Sequence, residues 1–382
     1  MVVGGAGLGV ETTYWYFKQL QLQSAADSAA YAGAIEKRAG SLNSQVVSVA
    51  TLGATQNGFA TSAGTIKVNA PPATGPATNS ANAVEVIVAQ DVPRYFSAMF
   101  SSSSSLHLSA RSVATFNTAA DACVLSLDKS ASKAALFSGS TNLVLKGCSV
   151  MANSVASDAV TLQGSAQLSA TCVISGGGVQ TTSGLTLTTC PAVITNAPQA
   201  ADPYASVPVP PDSSPLKCNN SNGATLQPGN YCNGLSLSGT VNLKPGVYII
   251  SGGNFKINAN ANITGSDVTI YIKSGSNLSF NGNATMQLSA PTSGPYSGML
   301  FFGDRSGSGK NNINGTATSS LTGAIYFPSQ EVDYLGNFSG QQGCTQVVAD
   351  VVQWSGNTNV SVDCSALGMQ PIPALSLVKL TE

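Results

Sequence analysis

Charge is scarce in this chain of 382 residues. Lys, Arg, Asp and Glu together make up 9% of it, whereas an ordinary soluble domain has roughly 25%. The formal net charge is −1, and no cluster of Lys and Arg occurs in the sequence. These absences argue against nucleic acid as a partner, and they require a surface built largely from Ser, Thr, Asn and Gly.

Patterns typical of metal sites are also missing. The sequence has one histidine, His107, for which we expect a structural or solvent-exposed position, and no Cys-x-x-Cys pair, so a zinc site is not expected. Asp128, Ser130 and Ser132 match the Asp-x-Ser-x-Ser pattern that binds Mg²⁺ in adhesion domains. That site needs alternating helices and strands behind it, which do not follow here. We therefore favour a plain loop and expect no cofactor.

Eight cysteines in a chain of low charge indicate disulfides and an oxidising compartment. Unpaired buried thiols are the alternative. Pairing between neighbours in sequence would close short loops, each worth about 3 kcal/mol in the chain-entropy treatment. The predicted pairs are Cys123 with Cys148, Cys172 with Cys190, Cys218 with Cys232, and Cys344 with Cys364.

An alternating stretch of apolar and polar residues recurs six times between Leu235 and Val362. Each copy turns at a Gly or Ala, usually after Ser or Asn, as in LSLSGTVNL and LSFNGNATM. A second apolar strand follows most copies. A regular period of about twenty residues with short strands is typical of a solenoid. The six turn positions are Gly239, Ala259, Gly282, Gly315, Gly336 and Gly356.

We predict a mainly β protein centred on a right-handed parallel β-helix. A strand of about five residues buries too little surface alone, whereas stacked equivalent strands share a continuous apolar interior. Leu235 and Leu237 alternate with Ser236 and Ser238, which places the two sets on opposite sides of a strand. The longest step, between the third and fourth turn positions, needs an extra loop, which residues 288–297 supply. An antiparallel sandwich is the rival fold.

Composition divides the chain into six segments. Six prolines between positions 197 and 217 identify a connector that cannot be regular strand or helix, and we place it along the solenoid. The segments are an N-terminal helix (1–40), a small α/β region (41–118), first solenoid coils with disulfides (119–196), the Pro-rich connector (197–217), the main solenoid (218–364) and a tail (365–382). Within the α/β region we predict a helix over 42–59, strands over 65–69, 83–90 and 105–115, and a short helix or turn over 91–100.

One long helix is predicted to end near Arg38, because no proline precedes it and alanine is dense. The apolar residues 1–10 would span about 15 Å as helix, half of a bilayer core. Residues 14–17 (Tyr-Trp-Tyr-Phe) then fall where an interfacial aromatic belt belongs. We expect the outer half of a transmembrane segment whose inner half lies upstream; a soluble amphipathic helix is the alternative. Glu11 is expected at the water interface, or paired with another membrane helix.

The same helix resembles a known family. Gly7-Leu8-Gly9-Val10-Glu11, Tyr14-Trp15 and the run LQLQSAADSAAYAGA (20–34) are similar to the start of TadG-like proteins of the Flp (tight adherence) pilus system. The stretches ACVLSLD, DPYASVPVP, QPGNYC and LSAPTSGPYSGMLFFGDRS resemble the C-terminal region of a subset of that family. The resemblance implies a bitopic envelope protein with its bulk outside the cytoplasm. This chain departs from members with a von Willebrand type A domain, since a solenoid takes its place.

An enzyme must be considered, because many parallel β-helices are polysaccharide lyases or hydrolases. Such sites need clustered carboxylates with Arg or Lys. Asp304 and Arg305 end a strand beside the inserted loop and are the best candidates, with Lys310, Glu331 and Asp333 in neighbouring coils. The simpler interpretation is a local Asp–Arg pair that orders the loop.

Aromatic side chains follow the strands of the main solenoid and could stack against glycans. At strand spacing, an interior aromatic stack is the favoured interpretation. These residues are Tyr296, Phe301, Phe302, Tyr326, Phe327, Tyr334, Phe338 and Trp354.

The sequence therefore predicts a membrane-tethered, disulfide-stabilised structural or adhesive protein of the cell envelope, either anchored in the inner membrane or exported with the pilus. No catalysis is expected. The expected partners are pilus-assembly or pilin subunits, a surface glycan, and the membrane through the N-terminal helix. The alternative is a secreted β-helix polysaccharide lyase or hydrolase that uses Asp304 and Arg305.

Overall fold

A computed structural model describes residues 2–38, 41–212, 216–335, 344–361, 369 and 371–382. The chain forms two compact units. The first contains residues 1–119 and 376–382, and the second contains residues 120–375. As predicted, the protein is mainly β, with 41% strand and 15% helix.

The first unit combines two helices with an antiparallel sheet. Its elements are α1 (Val2–Arg38), α2 (Asn43–Gln56), β1 (Gly64–Asn69), β2 (Ala83–Pro93), a 3-10 helix (Ser97–Phe100) and the first part of β3 (Ser105–Ser126). β2 pairs with β1 and with β3. Small side chains on α1 allow close packing; the buried ones are Ala25, Ala26, Ala29, Ala30 and Ala34. The predicted helix end near Arg38 is confirmed, while β2 runs beyond its predicted end to Pro93.

The second unit is built from short strands, which begin with the last part of β3 and end with the start of β27 (Pro373–Leu380). Those of the first coils are β4 (Ala135–Phe137), β5 (Asn142–Lys146), β6 (Ser149–Ala152), β7 (Val160–Leu162), β8 (Gln167–Ala170), β9 (Val173–Ser175), β10 (Val179–Gln180) and β11 (Leu185–Leu187). Those of the main solenoid are β12 (Thr225–Leu226), β13 (Gly229–Tyr231), β14 (Leu235–Leu237), β15 (Thr240–Leu243), β16 (Gly246–Ile250), β17 (Phe255–Ile257), β18 (Asn262–Gly265), β19 (Val268–Ile272), β20 (Leu278–Phe280), β21 (Thr285–Ser289), β22 (Met299–Gly303), β23 (Lys310–Ile313), β24 (Ser320–Tyr334), β25 (Thr345–Trp354) and β26 (Asn357–Ser361).

Successive strands fall on three faces of a parallel solenoid of about ten turns. Face 1 contains β13, β16, β19, β22, β6 and β9. Face 2 contains β14, β17, β20, β23, β4 and β7. Face 3 contains β12, β15, β18, β21, β5 and β8. The long strands β24 and β25 each contribute to more than one face. Every pairing described within this unit is parallel, so the antiparallel sandwich is wrong.

The strand register reproduces the coil lengths that the sequence predicted. Paired residues on face 2 are separated in sequence by the same steps that separate successive turn positions of the repeat. The longest step again falls where the inserted loop lies, between β20 and β23. The pairs are Leu235 with Phe255, Phe255 with Leu278, Ser279 with Asn312, Asn312 with Asp333, and Asp333 with Gln353.

The coils do not stack in chain order. In β25, Val347 lies beside Val124 of β3, and Val352 lies beside Ala135 of β4. β26 likewise pairs with β5. The first coils therefore continue the stack from the point where the main solenoid ends, although they come earlier in the chain. The chain enters the stack at its middle with β3, and the first coils wind from there to one end. The connector then leads to the other end, where the main solenoid begins.

Apolar side chains from all three faces form one continuous interior. Tyr334 stacks on Trp354 with ring centroids 4.1 Å apart, and both are buried. Phe301 and Phe327 also lie inside. The interior stack is thus confirmed for these four aromatic residues. It is wrong for Phe302 and Tyr326, which belong with Tyr296 to a second cluster outside this interior. Phe338 lies outside the described residues.

Three of the predicted disulfides are present. They join Cys123 to Cys148, Cys172 to Cys190, and Cys218 to Cys232. The fourth predicted pair includes Cys364, which lies outside the described residues; its predicted partner Cys344 is buried. Bonds of this kind indicate an oxidising compartment.

Candidate interaction surfaces

The outer side of face 1 carries an apolar ladder with one side chain from each coil. Along β16, Tyr248 and Ile250 point into the core, so Ile249 between them points outward. Ladder residues are neighbours in the strand register, and all of them are buried. In stacking order they are Ile249, Tyr271, Phe302, Tyr326, Val348, Leu125, Met151 and Ile174. A buried ladder on the outside of a coil requires a cover.

The Pro-rich connector provides that cover. Tyr204 packs against Tyr326 with ring centroids 5.4 Å apart, and the Tyr326 hydroxyl donates to Asp202 Oδ2 at 2.7 Å. Further along the ladder, Asn153 donates to the Ala200 carbonyl oxygen at 2.9 Å and accepts from its amide at 2.7 Å. The predicted position of the connector along the solenoid is therefore confirmed.

Arg305 fastens the connector to the ladder. Its Nη2 donates to the carbonyl oxygens of Tyr204 and Val207, each at 2.9 Å. The guanidinium carbon lies 5.2 Å from the ring centroid of Phe302 and 5.9 Å from that of Tyr326. A planar guanidinium suits this task because it can stack on rings while its edge donates. Arg305, which was predicted as a candidate catalytic residue, therefore contacts the connector and the ladder.

Asp304 has a different set of partners from Arg305. Its carboxylate accepts from the Tyr271 hydroxyl at 2.6 Å and from the Ser306 hydroxyl at 2.7 Å. Burial raises the pKa of this carboxyl, but the hydrogen bonds from Tyr271 and Ser306 outweigh it and hold the pKa below its ordinary value. A general acid needs a raised pKa. The described contacts therefore do not include the expected pair between Asp304 and Arg305.

The other predicted charged residues form a cluster on the outer side of face 2. Lys310 Nζ lies 3.0 Å from Glu331 Oε1 and 3.2 Å from Asp333 Oδ2. The register brings them together, because Lys310 pairs with Glu331 across adjacent coils. Burial raises the pKa of Asp333, and the Lys310 ammonium only partly opposes it. The three residues are thus brought together as expected, in an ion-paired group.

Asp128, Ser130 and Ser132 do not converge on one point. Asp128 Oδ1 accepts the Ser130 amide at 2.7 Å and the Ala131 amide at 2.6 Å, which is an Asx turn. The Ser132 hydroxyl instead donates to Asp158 at 2.6 Å. In the described ranges, no group of three His, Cys, Asp or Glu side chains could hold a metal ion.

Two predicted positions in the first unit have clear partners. Glu11 is buried and accepts from the amides of Tyr95 at 2.6 Å and Ser97 at 2.8 Å. Glu11 was expected in contact with water where the helix leaves the membrane, but its carboxylate is buried because the turn after β2 folds over it. His107 Nδ1 lies 2.9 Å from Asp91 Oδ1, and both side chains are 66% exposed, which confirms the exposed position.

A second carboxylate of the first unit, Glu85, was not predicted from the sequence. It is fully buried and accepts from Thr74 Oγ1 at 2.5 Å, from Asn69 Nδ2 at 2.6 Å, from the Ala73 amide at 3.0 Å and from Arg111 Nε at 2.6 Å. Burial alone would raise its pKa, but these four donors outweigh that effect and lower the pKa to about 2. This network ties the loop after β1 to β2 and β3.

The outer side of face 3 is polar and uncharged over the main solenoid. Its side chains alternate with buried apolar ones such as Ile263 and Met286. Asn242 donates to Thr264 Oγ1 of the next coil at 3.0 Å. The outward residues are Thr240, Asn242, Asn262, Thr264, Thr285, Gln287, Ser320 and Thr322. The result is a regular array of hydroxyls and amides, which both donate and accept hydrogen bonds.

The apolar ladder was also missed from the sequence, although a signal was present. Strands such as GVYII, VTIYI and MLFFG do not alternate, and a strand without alternation is typically buried on both sides. The connector residues Asp202 and Tyr204 carry no local signal of their contacts.

By fold, the second unit is a disulfide-bonded parallel β-solenoid. Residues 1–36, a stretch that overlaps α1, match the model of the Tad family, described as Flp pilus-assembly TadE/G-like. The resemblance expected from the N-terminal sequence is therefore confirmed over that stretch, and it supports a role in pilus assembly in the cell envelope. Neither a curated protein nor a solved structure matches the chain.

The single-pass membrane anchor stays a prediction. Within the part of the chain that the structure describes, no helix combines the length and the apolar character needed to cross a membrane.

Proposed function

We propose that this chain is a structural component of a Flp (tight adherence) pilus-assembly system, tethered to the membrane through α1 and displaying a rigid solenoid outside the cytoplasm. The observation that carries the proposal is the family match over residues 1–36. Three disulfides in the second unit support an oxidising compartment. No chemistry is needed for this role.

The displayed surface is face 3 of the main solenoid. Parallel stacking repeats its hydroxyls and amides at about 4.8 Å from coil to coil. A pilin subunit or a surface glycan offers hydrogen-bonding groups that such an array can match. Because the array is uncharged, salt should change its binding little.

A polysaccharide-cleaving enzyme is the second candidate. The raised pKa of Asp333 beside Glu331 favours it, since a general acid needs a raised pKa. It ranks second because Asp304 and Arg305 are engaged with Tyr271 and with the connector.

Complementation of a strain that lacks the chain separates these candidates. The face 3 variant is Asn262→Lys with Gln287→Lys, and its matched control places two lysines on face 2, as Ser236→Lys with Ser279→Lys; all four positions are exposed. We expect the face 3 variant alone to lose adhesion. A third variant, Glu331→Gln with Asp333→Asn, should retain adhesion. Loss of adhesion and of polysaccharide cleavage in this last variant would instead favour the enzyme.

A further inference from the structure

We infer that residues 95–100, in the turn between β2 and β3, dock into the surface of an anionic lipid bilayer beside the N-terminal half of α1. This inference rests on the proposed function only in placing the chain at a membrane. It concerns a second contact, separate from the helix that the family match covers.

The turn exposes an unusual amount of apolar surface. Met99 and Phe100 are 82% and 84% exposed, more than any other large hydrophobic side chain described. Tyr95 and Phe96 beside them are also exposed. Exposed apolar side chains that adjoin one another mark a contact surface rather than ordinary loop composition.

The turn is held firmly against α1. The Glu11 carboxylate accepts the amides of Tyr95 and Ser97, which fixes the start of the turn. A Cβ atom placed on Gly7 would lie only 2.7 Å from a ring carbon of Phe96, so the ring rests directly on the helix backbone. The apolar side chains of the turn are therefore presented together with those of the helix.

The exposed side chains of α1 extend the same apolar character. Val10 and Phe17 are exposed on the helix surface. Tyr14 meets Tyr95 edge-on, with ring centroids 6.2 Å apart.

Charge is distributed as a bilayer surface requires. From Gly7 to Phe17 and from Tyr95 to Leu106, the sequence contains one charged residue, Glu11, and its carboxylate is buried. The first charges beyond this zone are Lys18 and Arg94, both basic. Lys18 Nζ lies 6.0 Å from the Tyr14 ring centroid, and the Arg94 guanidinium lies 5.4 Å from that of Trp15.

An apolar tip, an aromatic layer and a basic layer thus follow in order. This order matches the acyl region, the interface and the anionic headgroups of a membrane. Outside this zone, the nearest acidic residue in the sequence is Asp91, which forms a hydrogen bond with His107 at 2.9 Å. A lipid surface therefore fits this zone better than a second copy of the chain. In a pair of copies, Lys18 and Arg94 of one chain would face the same two cations of the other.

Binding of the purified full chain to vesicles tests the inference. The probe is phosphatidylcholine with about one quarter phosphatidylglycerol, compared with phosphatidylcholine alone. Met99→Ser with Phe100→Ser should weaken partitioning at least about tenfold, because two large apolar side chains no longer enter the bilayer. Lys18→Gln with Arg94→Gln should remove the preference for the anionic vesicles. The control, Leu52→Ser with Val155→Ser, alters two other exposed apolar residues, at 54% and 64% exposure, and should bind as the wild type does.

If α1 alone dominates binding, the serine variant will bind normally, so we also measure how deeply residue 100 enters the bilayer. In a Trp15→Phe background, Phe100→Trp should be quenched by brominated lipid, whereas the buried Trp354 gives a constant background. Val155→Trp is the control that should not be quenched. An unquenched Phe100→Trp would overturn the inference. So would a serine variant that binds vesicles normally but loses self-association, since the surface would then belong to a second copy.

The vesicle assay and the adhesion assay fail independently. If the chain docks on vesicles as expected but its deletion leaves pili and adhesion unchanged, the proposed function alone is refuted. If its deletion removes pili or adhesion but the turn does not dock on vesicles, this inference alone is refuted.

Discussion

Replacing Arg305 with alanine should release the connector from the apolar ladder while leaving the coils folded. Arg305 holds two connector carbonyl oxygens and lies over two ladder rings. The coils themselves depend on the interior and on backbone pairing, which this side chain does not touch. The perturbation therefore separates the cover from the stack.

The size of the effect follows from the contacts that are lost. A hydrogen bond from a charged group contributes about 1.5–3 kcal/mol, and a cation–π contact about 0.5–2 kcal/mol. Because one nitrogen of a half-buried side chain makes both hydrogen bonds, we count them together as about 2 kcal/mol. The low end for the two cation–π contacts adds about 1 kcal/mol, which gives about 3 kcal/mol in all. Local opening of the connector should then become about 100-fold more frequent.

Hydrogen exchange followed by mass spectrometry measures this opening directly. The Val207 amide donates to the Tyr204 carbonyl at 3.0 Å, so its exchange reports on the connector. We expect exchange about 100-fold faster over residues 200–210 and no change in β19. Arg305→Lys keeps the charge but not the planar donor group, so its exchange rate over 200–210 should lie between those of the wild type and of Arg305→Ala. Unchanged exchange over 200–210, or an equal rise in β19, would show that Arg305 does not fasten the connector selectively.

Three further predictions concern stability. Glu85→Gln should destabilise the first unit by about 3 kcal/mol at pH 7, because the folded pKa of Glu85 near 2 lies below its ordinary 4.5. That loss should shrink as the pH falls from 4.5 towards 2, which urea unfolding of both proteins at each pH would show; a constant difference would contradict it. Cys172→Ser with Cys190→Ser should lower the stability of the second unit by about 3 kcal/mol, read as a lower unfolding midpoint, and an unchanged midpoint would contradict it. Tyr326→Phe should cost about 1–2 kcal/mol, since its hydroxyl bonds the connector, and equal connector exchange in both proteins would contradict it.

The coil lengths could be predicted from the sequence because stacking repeats the same local requirement in every coil. Each coil needs an inward Leu, Ile, Phe or Val and a residue that can turn, so the spacing of the motifs becomes the register. The sequence could not predict the order of the coils. Val347 beside Val124 is an ordinary apolar pair, and nothing near either residue distinguishes it from the other pairs in the stack.

The candidate site shows a similar limit. Asp304 and Arg305 suggested chemistry because they stand at a strand end beside an inserted loop. The partners of Arg305 include the connector residues Tyr204 and Val207, which lie far away in the chain, and no local pattern encodes that contact. The polar face 3, in contrast, follows from strand alternation alone.

The most direct measurement is the number of surface pili per cell in a strain from which this chain has been deleted, counted by electron microscopy. We expect loss of pili or of pilus-dependent adhesion, and recovery when the wild-type chain is restored. Recovery should also occur with Glu331→Gln and Asp333→Asn together. Normal piliation and adhesion in the deleted strain would contradict a role for this chain in pilus assembly.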